Sequence, residues 1–308
     1  MKDKILVIGS MNYDIITKVP HMPERGETLP ADSVSVRSGG KGANQAVQAA
    51  KLGKKVVMYG KVGTDAQGKY LLETISSYKV NVDNVEKAQE ITGLGLVNAL
   101  PDGSVFATIA HGANYEITPE DISRHEELFY DAEYLIIQME IPQKAIEKSI
   151  ELAAKNGVKV VFNTAPAEKI EESYLEKCSL LIMNEVEAQA FCGFEIKNAQ
   201  DAESAALSLN RKYKTGIIIT LGEKGSVICE EEKLTCLTPE RVEAVETTGA
   251  GDSYVGAVTS ELMDGKSLIE ACEFANRCSA LTVMKVGAQD SMPTKEEVDK
   301  FFIKKWFF

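Results

Sequence analysis

Short, mainly apolar runs recur along this 308-residue chain, each followed by a glycine-rich or polar stretch and then by a segment of helical periodicity. Ile5–Ile8, Val56–Tyr59, Tyr134–Ile137, Val158–Phe162, Leu180–Met183 and Ile217–Ile219 read as buried strands. After Gly42, residues Ala43, Ala46, Val47 and Ala50 share one helical face of small side chains, which implies close packing on a sheet, and Gly53 supplies a stop. Further helices are predicted over about 67–79, 143–156 and 200–213. A last one starts at Asp252, where Tyr254, Val255, Val258 and Leu262 fall at helical spacing and Gly265 ends the pattern. From residue 130 strand and helix strictly alternate, which predicts a mainly parallel sheet covered on both faces.

Two stretches break this alternation. Residues 15–37 carry Pro20, Pro23, Gly26 and Pro30 and then alternating Val34 and Val36. Ile91–Leu100 meets Val105–Ile109 across Pro101-Asp102-Gly103, and Asp-Gly between alternating runs signals a hairpin. These excursions are expected to pair as a small separate sheet, a lid over a site. With no linker and no repeat, the expectation is one α/β domain over 1–308, with lid strands inserted at about 15–37 and 91–110.

Polar residues cluster where such a sheet holds ligands. Asn12, Asp14, Glu140, Asn163, Asn184, Glu187 and Thr220 all lie just past apolar strands, and a set on one rim is a site where a single residue would mean little. The net charge of −12 argues against a nucleic-acid partner, while leaving room for a nucleotide held by local backbone. Six cysteines without a C-x-x-C pair, and only three histidines, form no zinc pattern, and most of the cysteines fall in apolar surroundings and read as buried reduced thiols. Ile5–Ile8 is too short for a signal peptide's apolar region and no run approaches membrane-spanning length, so a cytoplasmic protein with no membrane partner is expected.

The candidate chemistry centres on Glu246-Thr247-Thr248-Gly249-Ala250-Gly251-Asp252. Unpaired N–H groups at a helix mouth suit an anion, and glycines let phosphate oxygens approach the backbone. Asp252 there reads either as an acidic helix start or as a base held beside a phosphate, and the rim residues favour the base. Other phosphate motifs fail: Gly265-Lys266-Ser267 has Ser260 where a P-loop needs its first glycine, and no G-x-G-x-x-G follows the first strand. Gly39-Gly40-Lys41-Gly42-Ala43-Asn44 fits close approach to a polyol, with Lys41, Asn44, Asn12 and Asp14 as hydrogen-bonding groups. Asn184 and Glu187, three apart, suit either a hydrated Mg²⁺ or a helix capping box.

These residues resemble the ribokinase (PfkB-type) sugar-kinase family across essentially the whole chain. The resemblance rests on Gly9-Ser10-Met11-Asn12-Tyr13-Asp14, Gly39 to Ala46, His111-Gly112-Ala113-Asn114, Asn184 to Glu187, Thr220 to Gly225, Thr248 to Asp252 and Gly287-Ala288-Gln289, in order and at the right spacing. It implies a three-layer α/β/α sandwich with a β lid, and transfer of the ATP γ-phosphoryl group to the primary hydroxyl of a pentose. Ribose is the first expectation, with deoxyribose, a hexose or a nucleoside as alternatives and a non-catalytic sugar or nucleotide sensor as a remote one. Specificity would rest on lid and pocket side chains such as Met11, Tyr13, Leu94, Leu96 and Ile109.

The resemblance also implies roles. Asp252 would be the catalytic base, with Gly249, Ala250 and Gly251 as the anion hole. Asn12, Asp14, Gly40, Lys41, Asn44 and Glu140 would hold the sugar. Asn184 and Glu187 would act near Mg²⁺ and the phosphates, while Thr220, Gly222, Gly225 and Asn276 would line the nucleotide site. A monovalent-cation site for K⁺ would use Glu246, Thr248, Thr282, Lys285, Gly287 and Ser291, some through backbone carbonyls. The lid strands would pair two subunits into a homodimer. The family usually has Asp where this chain has Glu246, a departure that puts the cation site in doubt and leaves Asp252 intact.

Overall fold

A computed structural model describes residues 2–101 and 104–305. The chain runs β1 (Lys4–Ile8), β2 (Asn12–Lys18), β3 (Ser33–Gly39), α1 (Lys41–Lys51), β4 (Lys55–Tyr59), β5 (Lys61–Val62), α2 (Ala66–Ser77), β6 (Val80–Asn81), β7 (Glu86–Lys87), β8 (Gly93–Ala99) and β9 (Val105–Ala110). After α3 (Pro119–Arg124) come β10 (Ala132–Gln138), α4 (Gln143–Lys155), β11 (Lys159–Asn163), α5 (Glu172–Leu175), β12 (Leu180–Asn184), α6 (Glu185–Cys192), α7 (Ala199–Tyr213) and β13 (Gly216–Thr220). The chain ends on β14 (Ser226–Glu230), β15 (Lys233–Leu237), α8 (Ala250–Met263), α9 (Leu268–Val283) and α10 (Lys295–Lys305).

Nine strands form the main sheet in the order β15-β14-β13-β12-β11-β10-β1-β4-β6. Pairing is parallel from β13 through to β6, and antiparallel only for β13-β14 and β14-β15 at one edge. The strands are apolar runs because both faces are covered. Leu6 and Ile8 of β1 join a core built with α3, α4, α6 and α7, while Ile5 and Val7 join the opposite core with α1, α2, α8, α9 and α10. The result is a three-layer α/β/α sandwich. Ala43, Ala46 and Val47 of α1 are fully buried, so the small face meets the sheet as its pattern requires. The cysteines are all free, with Cys178, Cys229, Cys272 and Cys278 buried.

The excursions form a second sheet, β3-β2-β8-β9. The β8–β9 pair is antiparallel from Leu94↔Ala110 to Ala99↔Val105, while Asp102 and Gly103 of the expected turn lie outside the described residues. Three expectations shift. Asn12 and Asp14 belong to β2 itself instead of the loop after β1, since β8 and β3 pair with them on either side. α8 begins at Ala250, two residues before Asp252, because Gly249 at φ 80° already turns the chain into the helix. The β14–β15 hairpin adds two antiparallel strands at the edge of the expected parallel sheet, outside the strict strand–helix alternation, while α6 starts at the Asn184–Glu187 capping box that the sequence allows.

Candidate active site

Parallel pairing places the carboxyl ends of β10, β11, β12 and β13 on one rim, and a cavity of about 150 Å³ opens there. Lys41, Asn163, Asn184, Glu187, Thr220, Gly249, Gly251 and Asp252 are among its lining residues. Gly249 caps α8 in the left-handed region, and an added Cβ would lie 3.1 Å from Ala288. The Ala250 N–H returns to Thr247 O, whereas no carbonyl within the helix can serve the N–H groups of Gly251 and Asp252.

Asp252 is buried, and both its oxygens accept amide hydrogen bonds: Oδ2 from Asn44 Nδ2 and Oδ1 from Gln45 Nε2, each at 2.9 Å. Burial pushes its carboxyl above the usual range and Glu140 adds to this, while the Lys41 ammonium and the two amides oppose it. Burial also pulls the Lys41 ammonium down, but Asp252, Glu140 and Glu187 outweigh it and hold the group above its ordinary value. Lys41 is therefore charged, and it lines the same cavity as Glu187, Asn184 and Asp252.

The groups expected on the sugar side share one end of α1. Gly40 has φ 88°, and a Cβ there would meet Asn12 N at 2.8 Å, so only glycine lets α1 start against the β1–β2 turn. Glu140 Oε2 accepts the Lys41 N–H (3.0 Å) and the Ser10 hydroxyl, which leaves Oε1 for a ligand. The Asp14 carboxylate sits between Gly39 and Gly95, where an added Cβ would lie 2.0 and 2.2 Å from its oxygens. Burial first and then Glu140 push Asp14 up to about 7, against the pull of Arg37. Tyr13, on the other face of β2, packs edge-on against Tyr70 of α2.

Asn114 fixes Asn12. Its Oδ1 accepts the Met11 N–H (2.9 Å), so its Nδ2 must face Met11 O (3.2 Å) and Asn12 Oδ1 (2.8 Å). A backbone N–H can only donate, and the Asn12 amide is thereby turned with its own NH₂ away from Asn114.

On the other side, Asn184 and Glu187 form a complete capping box on α6: Asn184 Oδ1 takes the Glu187 N–H and Glu187 Oε2 takes the Asn184 N–H, both at 2.9 Å. Both side chains still line the cavity. Thr220 donates to Met183 O (3.3 Å), and Gly225 at φ 100° is packed on Leu237 O. Gly222 follows Thr220 in the same turn, and Asn276 sits half-buried on α9, outside the cavity lining.

Of the residues expected at a monovalent cation, Glu246, Gly287 and Ser291 are bonded to one another, and the side chains of Glu246, Lys285 and Thr282 also have partners outside the set. Glu246 accepts from Arg37 through both oxygens and from the Gly287 N–H, Lys285 pairs with Glu297, and the Thr282 hydroxyl bonds within its own helix and to Ser253. Ser291 Oγ donates to Gly287 O and Ala288 O, and Thr248 is exposed.

Sequence reasoning missed Gln45, Gln138, Gln289, Arg37 and the clamping role of Asn114. Gln45, Gln289 and Asn114 stand within the motifs that carry the resemblance but had no role there, while Gln138 shows only as the end of a strand and Arg37 lies outside the motifs.

A parallel α/β/α sandwich with a small β sheet beside its rim and a buried carboxylate at a glycine-capped helix mouth is the architecture of a small-molecule kinase. The chain belongs to the pfkB family of carbohydrate kinases, whose family model matches residues 2–295. It is 36% identical over 315 residues to the ribokinase of Schizosaccharomyces pombe, spanning 98% of each chain. To the deoxyribokinase of Salmonella typhi it is 35% identical over 302 residues, spanning 96% of this chain and 98% of the relative. The solved structure of Arabidopsis thaliana ribokinase complexed with ribose and ATP matches with a TM-score of 0.90 at 30% identity, over 97% of this chain and 98% of that one. Among the described residues, no helix is long and apolar enough to cross a membrane.

Proposed function

We propose that the protein is an ATP-dependent kinase that phosphorylates the primary hydroxyl of D-ribose, giving D-ribose 5-phosphate. The observation that carries this reading is the place of Asp252: in one cavity with the mouth of α8 and Lys41, and within electrostatic reach of Asp14 and Glu140. The similarity to proteins named ribokinase, one of them solved with ribose and ATP, supports the same substrates.

In this mechanism Asp14, Glu140 Oε1 and the NH₂ of Asn12 hold sugar hydroxyls, with the Gly40 backbone close by. Asn44 spends its oxygen on Gln289 (3.0 Å) and one N–H on Asp252, leaving one N–H for the sugar. Asp252 takes the proton of the attacking hydroxyl late, since a loose phosphoryl-transfer transition state asks little of the base until the new bond forms. Most of the rate comes from alignment and from the anion hole expected at Gly249, Ala250 and Gly251; with the Ala250 N–H bonded to Thr247 O, the Gly251 N–H, joined by that of Asp252 and by Lys41, faces the transferred charge. Thr220, Gly222, Gly225 and Asn276 are assigned to the nucleotide. Both Glu187 oxygens take capping-box bonds, Oε1 from Asn184 Nδ2 at 3.0 Å, so Asn184 and Glu187 suit a Mg²⁺ held through its waters, which would offset phosphate charge. The side chains expected at K⁺ do not fit one: Arg37 already answers the Glu246 charge, and no step is assigned to a monovalent cation.

Val34, Val36, Leu96, Val105, Phe106 and Ile109 leave the second sheet with exposed apolar side chains, which supports its pairing with a second copy as a homodimer. Its closure over the sugar would exclude water as a competing acceptor. Free cysteines suit a reducing cytoplasm.

A coupled ADP assay over pentoses, hexoses and nucleosides tests the reading, with the product's phosphate position assigned by NMR. Ribose should give the highest kcat/KM and a 5-phosphate; no ADP release with any pentose would overturn it. The deoxyribokinase relative motivates a second reading, in which 2-deoxyribose outranks ribose in the same assay.

A further inference from the structure

Behind Asp252 lies a run of buried side-chain amides whose polarity is fixed from outside. Asn163 Nδ2 donates to the backbone carbonyl of Ile182 (3.0 Å), which can only accept. Asn163 must therefore turn its oxygen to Gln45, and Gln45 Nε2 donates to it at 3.0 Å. The Gln45 oxygen in turn accepts from Gln138 Nε2 (2.7 Å). With the Asn163 end settled, the Gln45 NH₂ has one orientation, and it donates to Asp252 Oδ1 (2.9 Å). Flipping the Gln45 amide would set oxygen against oxygen at Asn163 and Asp252, and NH₂ against NH₂ at Gln138. Gln45 and Gln138 are both wholly buried, so no solvent would relieve that mismatch.

We propose that Gln45 is a positioning residue for phosphoryl transfer, an amide of fixed polarity that obliges Asp252 to stay an acceptor and leaves its remaining lone pairs to the cavity. Asn163 acts through Gln45 by holding that polarity, and Gln138 supports it as the donor to the Gln45 oxygen. The inference rests on the reading of Asp252 as the base. The need for such a device is visible in the surroundings: burial favours the protonated acid, which is useless as a base. The charged groups facing Asp252 are Lys41 from α1, Glu140 after β10, Glu187 from α6 and Asp14 from β2. Replacing Gln45 by a neutral residue adds no charge to this set.

The test is the pH profile of kcat for Gln45→Met and Gln138→Met, with Asp252→Ala alongside and thermal melts to establish folding. Gln138→Met is the gentler change, because Gln138 Oε1 is already without a partner. Losing the Gln45 donor should move the acid limb of kcat upward by about one pH unit, the size of one hydrogen bond to a charged group. Both substrate KM values should stay within about two-fold, since Gln45 is not assigned to touch either substrate. Gln138→Met should shift the limb the same way by less, and the double variant should be no worse than Gln45→Met alone. A folded Gln45→Met enzyme with its acid limb in place overturns the inference. If that variant does not fold, an unmoved limb in Gln138→Met does so instead. Near-normal turnover by Asp252→Ala would bring down the underlying base assignment, a separate failure.

Discussion

Arg37 of β3 sets its guanidinium 3.1 and 3.2 Å from the two carboxylate oxygens of Glu246, 209 positions away in the chain. The pair ties the second sheet to the loop that runs into α8, and the Gly287 N–H bonds the same carboxylate at 3.1 Å. Both side chains are partly buried, so the charge of Glu246 is met inside the protein by a group that cannot lose its proton.

Turnover should therefore differ by less than about two-fold between K⁺ and Na⁺ at equal ionic strength, because the guanidinium supplies the local positive charge. Arg37→Ala should uncover the Glu246 carboxylate and make activity rise with K⁺. Strong K⁺ activation of the unaltered enzyme would show that the pair leaves a cation site open.

Asp252→Ala should lower kcat by at least ~100-fold, the scale of a lost general base, with the ATP KM nearly unchanged. Steady-state kinetics with saturating sugar check this. A parallel rise in the ATP KM would place Asp252 in nucleotide binding instead.

Asp14 supplies a pH signature. With its carboxyl pushed up to about 7, the free enzyme is largely protonated there at pH 6 and ionised at pH 8. Sugar hydroxyls donate to the ionised form, so the sugar KM should fall by roughly ten-fold from pH 6 to pH 8. Asp14→Asn should bind sugar weakly with no such trend. The stability sign is opposite. A carboxyl raised in the folded state stabilises it below the unfolded value near 3.8, and that contribution is lost as pH rises through about 7. Sugar-free Asp14→Asn should thus gain thermal stability relative to the unaltered protein at pH 8, and the gain should vanish towards pH 4.

Asn114→Ala removes the group that fixes Asn12. Isothermal titration with sugar should show affinity lower by on the order of ten-fold, about 1.4 kcal/mol, while nucleotide affinity holds. The same substitution should cost about 1–3 kcal/mol in denaturant unfolding, because the buried Met11 N–H loses its acceptor. Unchanged sugar affinity would show that Asn12 needs no such clamp.

Much of this molecule is legible without coordinates. The alternation of apolar runs with helical periodicity implies a parallel sheet between two helical layers, and the rim follows because parallel strands end on one side. Gly249 to Asp252 stands out because a helix mouth is local: glycine, small residue, glycine and acid within one turn state its geometry. The same locality made Asn184 and Glu187 ambiguous, since a capping box and an ion site use the same residues three apart, and the box forms.

What the sequence left open is what depends on contacts between distant segments. Gln45 reaches Asp252 across 207 positions, and Asn114 reaches Met11 across 103. The direction of an amide, donor or acceptor, is set by partners that no periodicity reveals. Only the tertiary structure decided that Asp252 is held as an acceptor, that Asn12 turns its NH₂ away from Asn114 and that Glu246 spends its charge on Arg37. Hydrophobic pattern is a property of neighbours along the chain and fixes the layers; hydrogen-bond polarity and ion pairing are properties of neighbours in space and fix the site.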